Sequence, residues 1–215
     1  PDLTIGADVA GAEPLEANEE LSGRGVNVVG RGFVVTPEKA KELGLGKVKG
    51  LKKRIRPHLN GRDLTQTPRD IMIIDLYGLE PREVRNRFPS VYQHVKEHVK
   101  PERKQNNRKR YREKWWIHGE PRPGLRDALK GLDRFIGTPN VSKHRFFQFI
   151  DSKVLPDDKI IAVAIQDAYH LGVLSCRVHE VWSLSAGGRH VDRPVYNNTR
   201  CFDPFPFPAA SEAQK

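Results

Sequence analysis

Arg189, His190, Asp192 and Arg193 fall within five residues of one another toward the C-terminal end of the chain. Their side chains suit the reading of nucleobase edges. A guanidinium donates two parallel hydrogen bonds to guanine O6 and N7, and a carboxylate accepts from cytosine N4. A mixed-sign group can therefore discriminate base pairs. Asn197 and Asn198 come soon after and form, with Arg200, a second rank of candidates for base contact. Ser142, Lys143, His144 and Arg145 make another edge, from loop to strand, that can meet a base or a phosphate; we assign Lys143 and Arg145 to phosphate. The residues 189–193 also fit a charged surface loop followed by a linker, and local spacing alone leaves both readings open.

The chain has 215 residues and a formal net charge of +10. Its cations are concentrated. Residues 47–56 hold six basic groups and no acid, and residues 96–114 hold nine basic groups against Glu97, Glu102 and Glu113. Such density is the electrostatic footprint of a polyanion binder, because each neutralised phosphate releases counterions. A solvated helix face explains either run equally well when taken alone. We assign Lys47, Lys49, Lys52, Lys53, Arg54, Arg103, Arg108, Arg110 and Arg112 to contacts with the DNA backbone, which position without specifying.

Other chemistries fit poorly. Asp151-Ser152-Lys153 and Asp157-Asp158-Lys159 resemble fragments of a metal-dependent nuclease, whose carboxylates must converge on Mg²⁺ beside a Lys. Both triplets flank Pro156, where Asp, Ser and Lys are ordinary turn residues. His170, Cys176 and His179 have a helical spacing that could face one ion. Only one further cysteine, Cys201, is present, and a packed thiol with a hydrogen-bonded imidazole accounts for them better. Trp115 and Trp116 close a basic run and could stack on bases, but an adjacent amphipathic helix favours a core position for both. With no paired-cysteine spacing and no apolar run near the ~20 residues of a membrane span, we expect a reduced, cytoplasmic setting and no membrane partner.

Several elements must hold these residues. Leu171, Leu174, Val178 and Val181/Trp182 recur every three or four positions, which predicts one helix with a buried face. Gly187 and Gly188 end it and open the charged loop, and Tyr196 to Phe202 reads as extended before Pro204, Pro206 and Pro208. Upstream, Val26–Val29 and Gly32–Val35 read as short strands. Thr36-Pro37-Glu38 starts a helix that Gly44 stops. Ile71–Leu76 reads as a strand, and Pro81–Phe88 and Pro89–Val99 as helices, the second of which Pro101 breaks or kinks. Leu125–Leu132 reads as a short helix, and Phe135-Ile136, His144–Ile150 and Ile160–Ile165 as strands. The expected fold is α/β, of mixed α+β type, with a mixed sheet flanked by helices.

The order of motifs is more informative than any one of them. Leu174, Ser175, His179 and Trp182, a glycine-hinged basic stretch, Tyr196-Asn197-Asn198-Thr199, and Phe202-Asp203-Pro204-Phe205-Pro206-Phe207-Pro208 succeed one another. This order resembles the end of the target recognition domain of MmeI-like (type IIL/IIG) DNA adenine methyltransferases. Residues 15–35 are similar to that family's entry from the methylase fold. Residues 55–79, then Tyr92, Pro101, Glu102 and Arg103, then Trp115-Trp116, share the same pattern, so the resemblance covers roughly residues 15–208. It departs at Pro194-Val195, where the family often places an Arg before the Tyr.

The resemblance implies a DNA target recognition domain of a site-specific adenine-N6 methyltransferase in restriction–modification or phage defence. Its partners would be double-stranded DNA and an upstream methyltransferase domain of the same polypeptide. Neither an Asn-Pro-Pro-aromatic loop nor a Gly-rich loop after a first strand is present in these residues. S-adenosylmethionine is thus expected as the cofactor of the parent enzyme rather than of this chain, and no catalytic, cofactor or metal residue is assigned here. The chain starts at Pro1, which we read as a piece of a longer polypeptide. We expect residues 1–25 to lead in from the methylase domain, 26–208 to form the recognition domain and 209–215 to be a tail. A nucleic-acid-binding accessory module without a methylase is the alternative, and a metal-dependent nuclease a more distant one.

Overall fold

The structure, a computed structural model, describes residues 9–211; the parts of the expected lead-in at 1–8 and of the tail at 212–215 lie outside the described residues. The strands in chain order are β1 (Ser22–Arg24), β2 (Val34–Val35), β3 (Ile55–Leu59), β4 (Ile71–Ile74), β5 (Arg134–Pro139), β6 (Gln148–Asp151), β7 (Leu155–Pro156), β8 (Ile160–Val163), β9 (Gly188–His190) and β10 (Arg193–Val195). The helices are α1 (Pro37–Glu42), α2 (Gly61–Thr65), α3 (Pro81–Arg87), α4 (Pro89–His98), α5 (Lys100–Lys104), α6 (Lys109–Glu113), α7 (Pro123–Ala128), α8 (Ala168–Ser175) and α9 (Arg177–Ala186). They divide into two units. One is Gly25–Pro123 with Lys153–Asp158; the other is Gly124–Ser152 with the described parts of Pro1–Arg24 and Lys159–Lys215.

In the first of these units a mixed sheet runs in the order β2-β4-β3-β7, antiparallel except where β3 meets β7. Ile55, Ile73 and Ile74 of that sheet are buried against Val84, Phe88, Val91 and Val95 of the α3–α4 pair. The helix starts obey local chemistry. Thr36 accepts a bond from the Lys39 amide at 3.2 Å and Pro37 opens α1, where its missing N–H costs nothing. Asn60 and Asp63 form a reciprocal capping box at α2. Arg69 then clamps the Asp63 carboxylate through two bonds, at 2.7 and 2.8 Å. Burial pushes that carboxyl up, but the bonds from Arg69 and the Asn60 amide outweigh it and hold it below its ordinary value. Trp115 lies in the core, as the sequence predicts, whereas Trp116 is half-buried, packs against that core and donates to the Leu79 carbonyl at 2.8 Å.

The expected strand over 26–29 is instead two isolated bridges, Val26 to Asp157 and Asn27 to Glu120. Gly25 explains the close approach. A Cβ there would stand 2.2 Å from the Pro156 carbonyl oxygen. The expected strand over 32–35 shortens to β2, because Arg31–Phe33 winds into a 3₁₀ turn.

The second unit holds an antiparallel sheet in the order β1-β8-β5-β6. All four residues of β8 are buried, as a strand covered on both faces requires. The ladder of β6 begins only at Gln148, four residues later than expected. Residues 9–24, which read as a lead-in with few packing residues, contribute β1 and a buried Asn18. The Asn18 amide donates to the carbonyls of Phe202, Asp203 and Phe205 and so ties down the proline-rich C-terminal segment. The mixed α/β architecture expected from composition and spacing is present, with one mixed and one antiparallel sheet, each accompanied by helices.

The single helix predicted through Trp182 is two. Cys176 has ψ of 158°, an extended conformation that interrupts the ladder and resets the helical phase. Leu174 is buried as expected, but Val178 and Val181 are 71% and 53% exposed, and His179, Ser183 and Ala186 face inward in their place. The segment after Tyr196 is not extended either. Asn198–Phe202 forms one wide helical turn, started by the Asn197 side chain accepting from the Thr199 amide at 3.1 Å.

Candidate nucleic-acid interface

Residues 188–195 form a β-hairpin in place of the expected loop. β9 and β10 pair antiparallel, with His190 opposite Arg193 and Gly188 opposite Val195, leaving Val191 and Asp192 as a two-residue tip. Arg189, His190, Asp192 and Arg193 are all exposed. Asp192 and Arg193 lie 4.0 Å apart as a loose pair in solvent. Sequence inspection misses this hairpin because the tip lacks the Asn-Gly or Gly-X pair that usually marks one. Val191 adopts φ of +59°. Hairpin turns reserve that conformation for Gly or Asn, and a β-branched residue held in such a region costs on the order of 1–3 kcal/mol.

A buried polar network fixes the base of the hairpin. The Tyr196 amide donates to the Asn140 carbonyl at 2.7 Å, and the Asn140 side chain returns a bond to the Tyr196 carbonyl at 3.0 Å. The Pro194 carbonyl accepts from the Ser142 amide at 3.3 Å, and Val141 bridges Val195. Behind them the Tyr196 hydroxyl meets His179 Nε2 at 3.0 Å, while the Arg145 guanidinium lies over the Tyr196 ring and donates to Thr138 Oγ1 and the Pro139 carbonyl. His179 is fully buried, and its Nδ1 has no hydrogen-bond partner. Burial, reinforced by the nearby Arg145 cation, lowers its pKa to about 4. The ring is therefore neutral at physiological pH. Burial raises the Tyr196 phenol well above its usual value, so the hydroxyl keeps its proton.

The helix side is equally fixed. Gly187 admits the hairpin strand closely; a Cβ there would lie 2.4 Å from the Val195 carbonyl oxygen. Trp182 Nε1 donates to the Cys201 carbonyl at 3.1 Å and its ring meets Phe205 edge-on, joining α9 to the Phe-Pro segment. Asn197 and Asn198 are half-buried. The Asn197 carboxamide is occupied in capping the turn it starts, accepting from the Thr199 amide and hydroxyl. Within this unit a rigid layer thus presents a short, exposed, mixed-charge ribbon.

The residues assigned to phosphate divide by environment. Lys47, Lys49, Lys52 and Lys53 are exposed and have no ion-pair partner among the described residues. Arg54 is half-buried and donates to the Tyr77 carbonyl at 2.7 Å. Arg108, Arg110 and Arg112 are exposed but partly engaged: Arg108 with the Tyr111 hydroxyl, Arg110 near Glu120, and Arg112 with the carbonyls of Asn106 and Asn107. Lys143 is exposed.

Two assignments need correction. Arg103 is 1% exposed, donating to the carbonyls of Val28 and Ile117 between the rings of Phe33 and Tyr111, so it cannot reach a phosphate. Its charge is held by carbonyl dipoles and ring faces, with Nε and Nη1 unpartnered. Arg145 is likewise turned inward, onto Tyr196. Sequence gives no sign of either burial, since an Arg in a basic run looks like its neighbours. Nor does it reveal that Asn140, Tyr196 and Asn18 position the hairpin and its flank. The Asn140–Tyr196 bond spans 56 residues and the bonds from Asn18 to the Phe202 and Phe205 carbonyls span 184 and 187, beyond any local pattern.

His170 pairs with Asp167 at 2.8 Å, Cys176 is exposed and His179 is sealed against Tyr196. Among the described residues no three His, Cys, Asp or Glu side chains gather as metal ligands, and no helix is long and apolar enough to cross a membrane. Asp157 approaches His58 at 4.0 Å, and the Lys153 carbonyl accepts from Arg56.

Comparison with known proteins agrees with the motif order. A family profile described as the MmeI target recognition domain matches residues 12–209. No curated protein matches the chain. A solved structure of the type IIL restriction–modification enzyme MmeI in complex with DNA is similar in fold, with a TM-score of 0.70 and 17% sequence identity. The match covers 90% of this chain and 25% of that one, so the chain spans about a quarter of that enzyme's length.

Proposed function

Since the chain belongs to the family of MmeI target recognition domains, we propose that it is the DNA-reading module of a site-specific adenine-N6 methyltransferase of the restriction–modification type. The hairpin carries this reading. Four exposed polar side chains of both signs are displayed on a two-stranded ribbon whose base is locked by buried hydrogen bonds. The major groove, about 12 Å wide, admits such a ribbon, and Arg and Asp are among the side chains that distinguish base pairs there. Arg189, His190, Asp192 and Arg193 would read bases, with Asn198 beside them. Lys47, Lys49, Lys52, Lys53, Arg108, Arg110, Arg112 and Lys143 would hold the phosphates.

Methyl transfer from S-adenosylmethionine would be performed by a methyltransferase domain of the parent polypeptide, which would operate in the cytoplasm, in defence against phage. These 215 residues do not fit the cofactor, as they carry neither the Gly-rich loop nor the Asn-Pro-Pro-aromatic motif that its chemistry uses. Division of labour of this kind lets one lobe select the sequence while another works on a flipped base.

Selection of bound duplexes from a randomised pool tests the reading. The chain should enrich a defined sequence, and Asp192→Ala or Arg193→Ala should relax one position of it, a loss of about 1–3 kcal/mol in discrimination. Binding that is equally strong for all sequences would refute it and favour the accessory-module alternative.

A further inference from the structure

The tip of the hairpin carries an apolar side chain that the polar reading leaves unused. Val191 is 88% exposed, more than any other large hydrophobic residue among those described. It also holds φ of +59°, which β-branched residues avoid. Exposure alone means little, since single apolar residues on surfaces are ordinary. Exposure at a strained position is different, because no packing inside the protein accounts for the strain. The residue is flanked by Arg189, His190, Asp192 and Arg193, so whatever the ribbon approaches, Val191 meets it at the apex.

Resting on the reading of the hairpin as a base-recognition element, we propose that Val191 is a specificity determinant that recognises the 5-methyl group of a thymine in the major groove. That methyl is the one apolar feature that the groove displays among its hydrogen-bonding edges, and short aliphatic side chains are its usual partners. The minor groove presents no methyl group, so an apolar contact of this kind belongs to the major groove. Intercalating wedges use longer or flatter side chains than Val. An apolar apex between polar flanks therefore completes the code of the ribbon: the polar residues read donors and acceptors, and Val191 separates A·T from G·C by contact.

The test uses the 215-residue chain and the duplex enriched by selection. Each thymine is replaced in turn by deoxyuridine, which removes only the methyl group. One replacement should weaken binding about fourfold, the value for burying a single carbon group. In Val191→Ala that sensitivity should shrink and in Val191→Gly it should vanish, while discrimination at the other positions stays as in the native chain. Val191→Gly also relieves the strained φ, so it is the variant that controls for folding. An enriched site in which no thymine is methyl-sensitive overturns the inference but leaves the hairpin as a polar reader. The same holds for a site made of G·C pairs alone, or for sensitivity unchanged by Val191→Gly. Failure of selection to enrich any sequence would overturn both readings.

Discussion

His179 offers a direct measurement of how firmly the hairpin's support is sealed. Its ring is fully buried against Tyr196, Phe147 and Phe205, with Arg145 close enough to oppose a second positive charge. The folded-state value of about 4 lies below the ordinary 6.5. The unfolded chain therefore binds this proton more readily than the folded one, and stability must fall as pH drops through 6.5, levelling off only below about 4. The full loss is about 3 kcal/mol, of which about 2 kcal/mol is gone by about pH 5. Burial also lowers His58 and His94, in the other unit, so all three histidines enter the acid response of the chain. Comparison with His179→Gln removes the other two, because glutamine keeps a polar group for Tyr196 and does not titrate. Urea unfolding at several pH values between about 7 and 4.5 should show the native chain losing stability relative to the variant as pH falls. A nuclear magnetic resonance titration should place the His179 midpoint near its folded value. Parallel stability curves, or a midpoint near that of a solvent-exposed imidazole, would show that the ring is hydrated and the support loose.

Three further outcomes are expected of the same structure. Replacing Lys52 and Lys53 by Ala should flatten the dependence of log affinity on log salt by about 0.9 for each lost phosphate contact and leave sequence preference intact; an unchanged slope would place this run away from DNA. Arg103→Ala should do the reverse, keeping the salt slope but costing about 3 kcal/mol of stability in chemical denaturation, because the Val28 and Ile117 carbonyls lose their donor and two rings lose their filler. Gly25→Ala should destabilise by about 1–3 kcal/mol through overpacking against the Pro156 carbonyl, and a neutral result in thermal unfolding would mean that this approach is easily relaxed.

Much of the chain was legible as sequence because its signals are local. Thr36-Pro37, the prolines opening α3 and α4, and the Val91–Val95 spacing each depend on neighbours within one turn, and they form helices where expected. Charge density needs only counting, and the order of the Trp, Tyr-Asn-Asn-Thr and Phe-Pro motifs is itself a property of sequence, which is why the family could be identified from it. Tertiary structure decided the rest. Whether Arg103 faces water or Val28 depends on a segment 75 residues away, and Arg145 turns inward because Tyr196 and Pro194 arrive behind it. The apolar period across 171–182 suggested one buried face, but a single extended residue at Cys176 shifted the phase and turned Val178 and Val181 outward. The hairpin exists because Asn140 and Ser142 receive the 194–196 backbone from a distant part of the chain. Periodicity reports what a residue's neighbours in sequence prefer; which cations are buried, and which loop becomes a ribbon, is set by partners that only folding brings within hydrogen-bond reach.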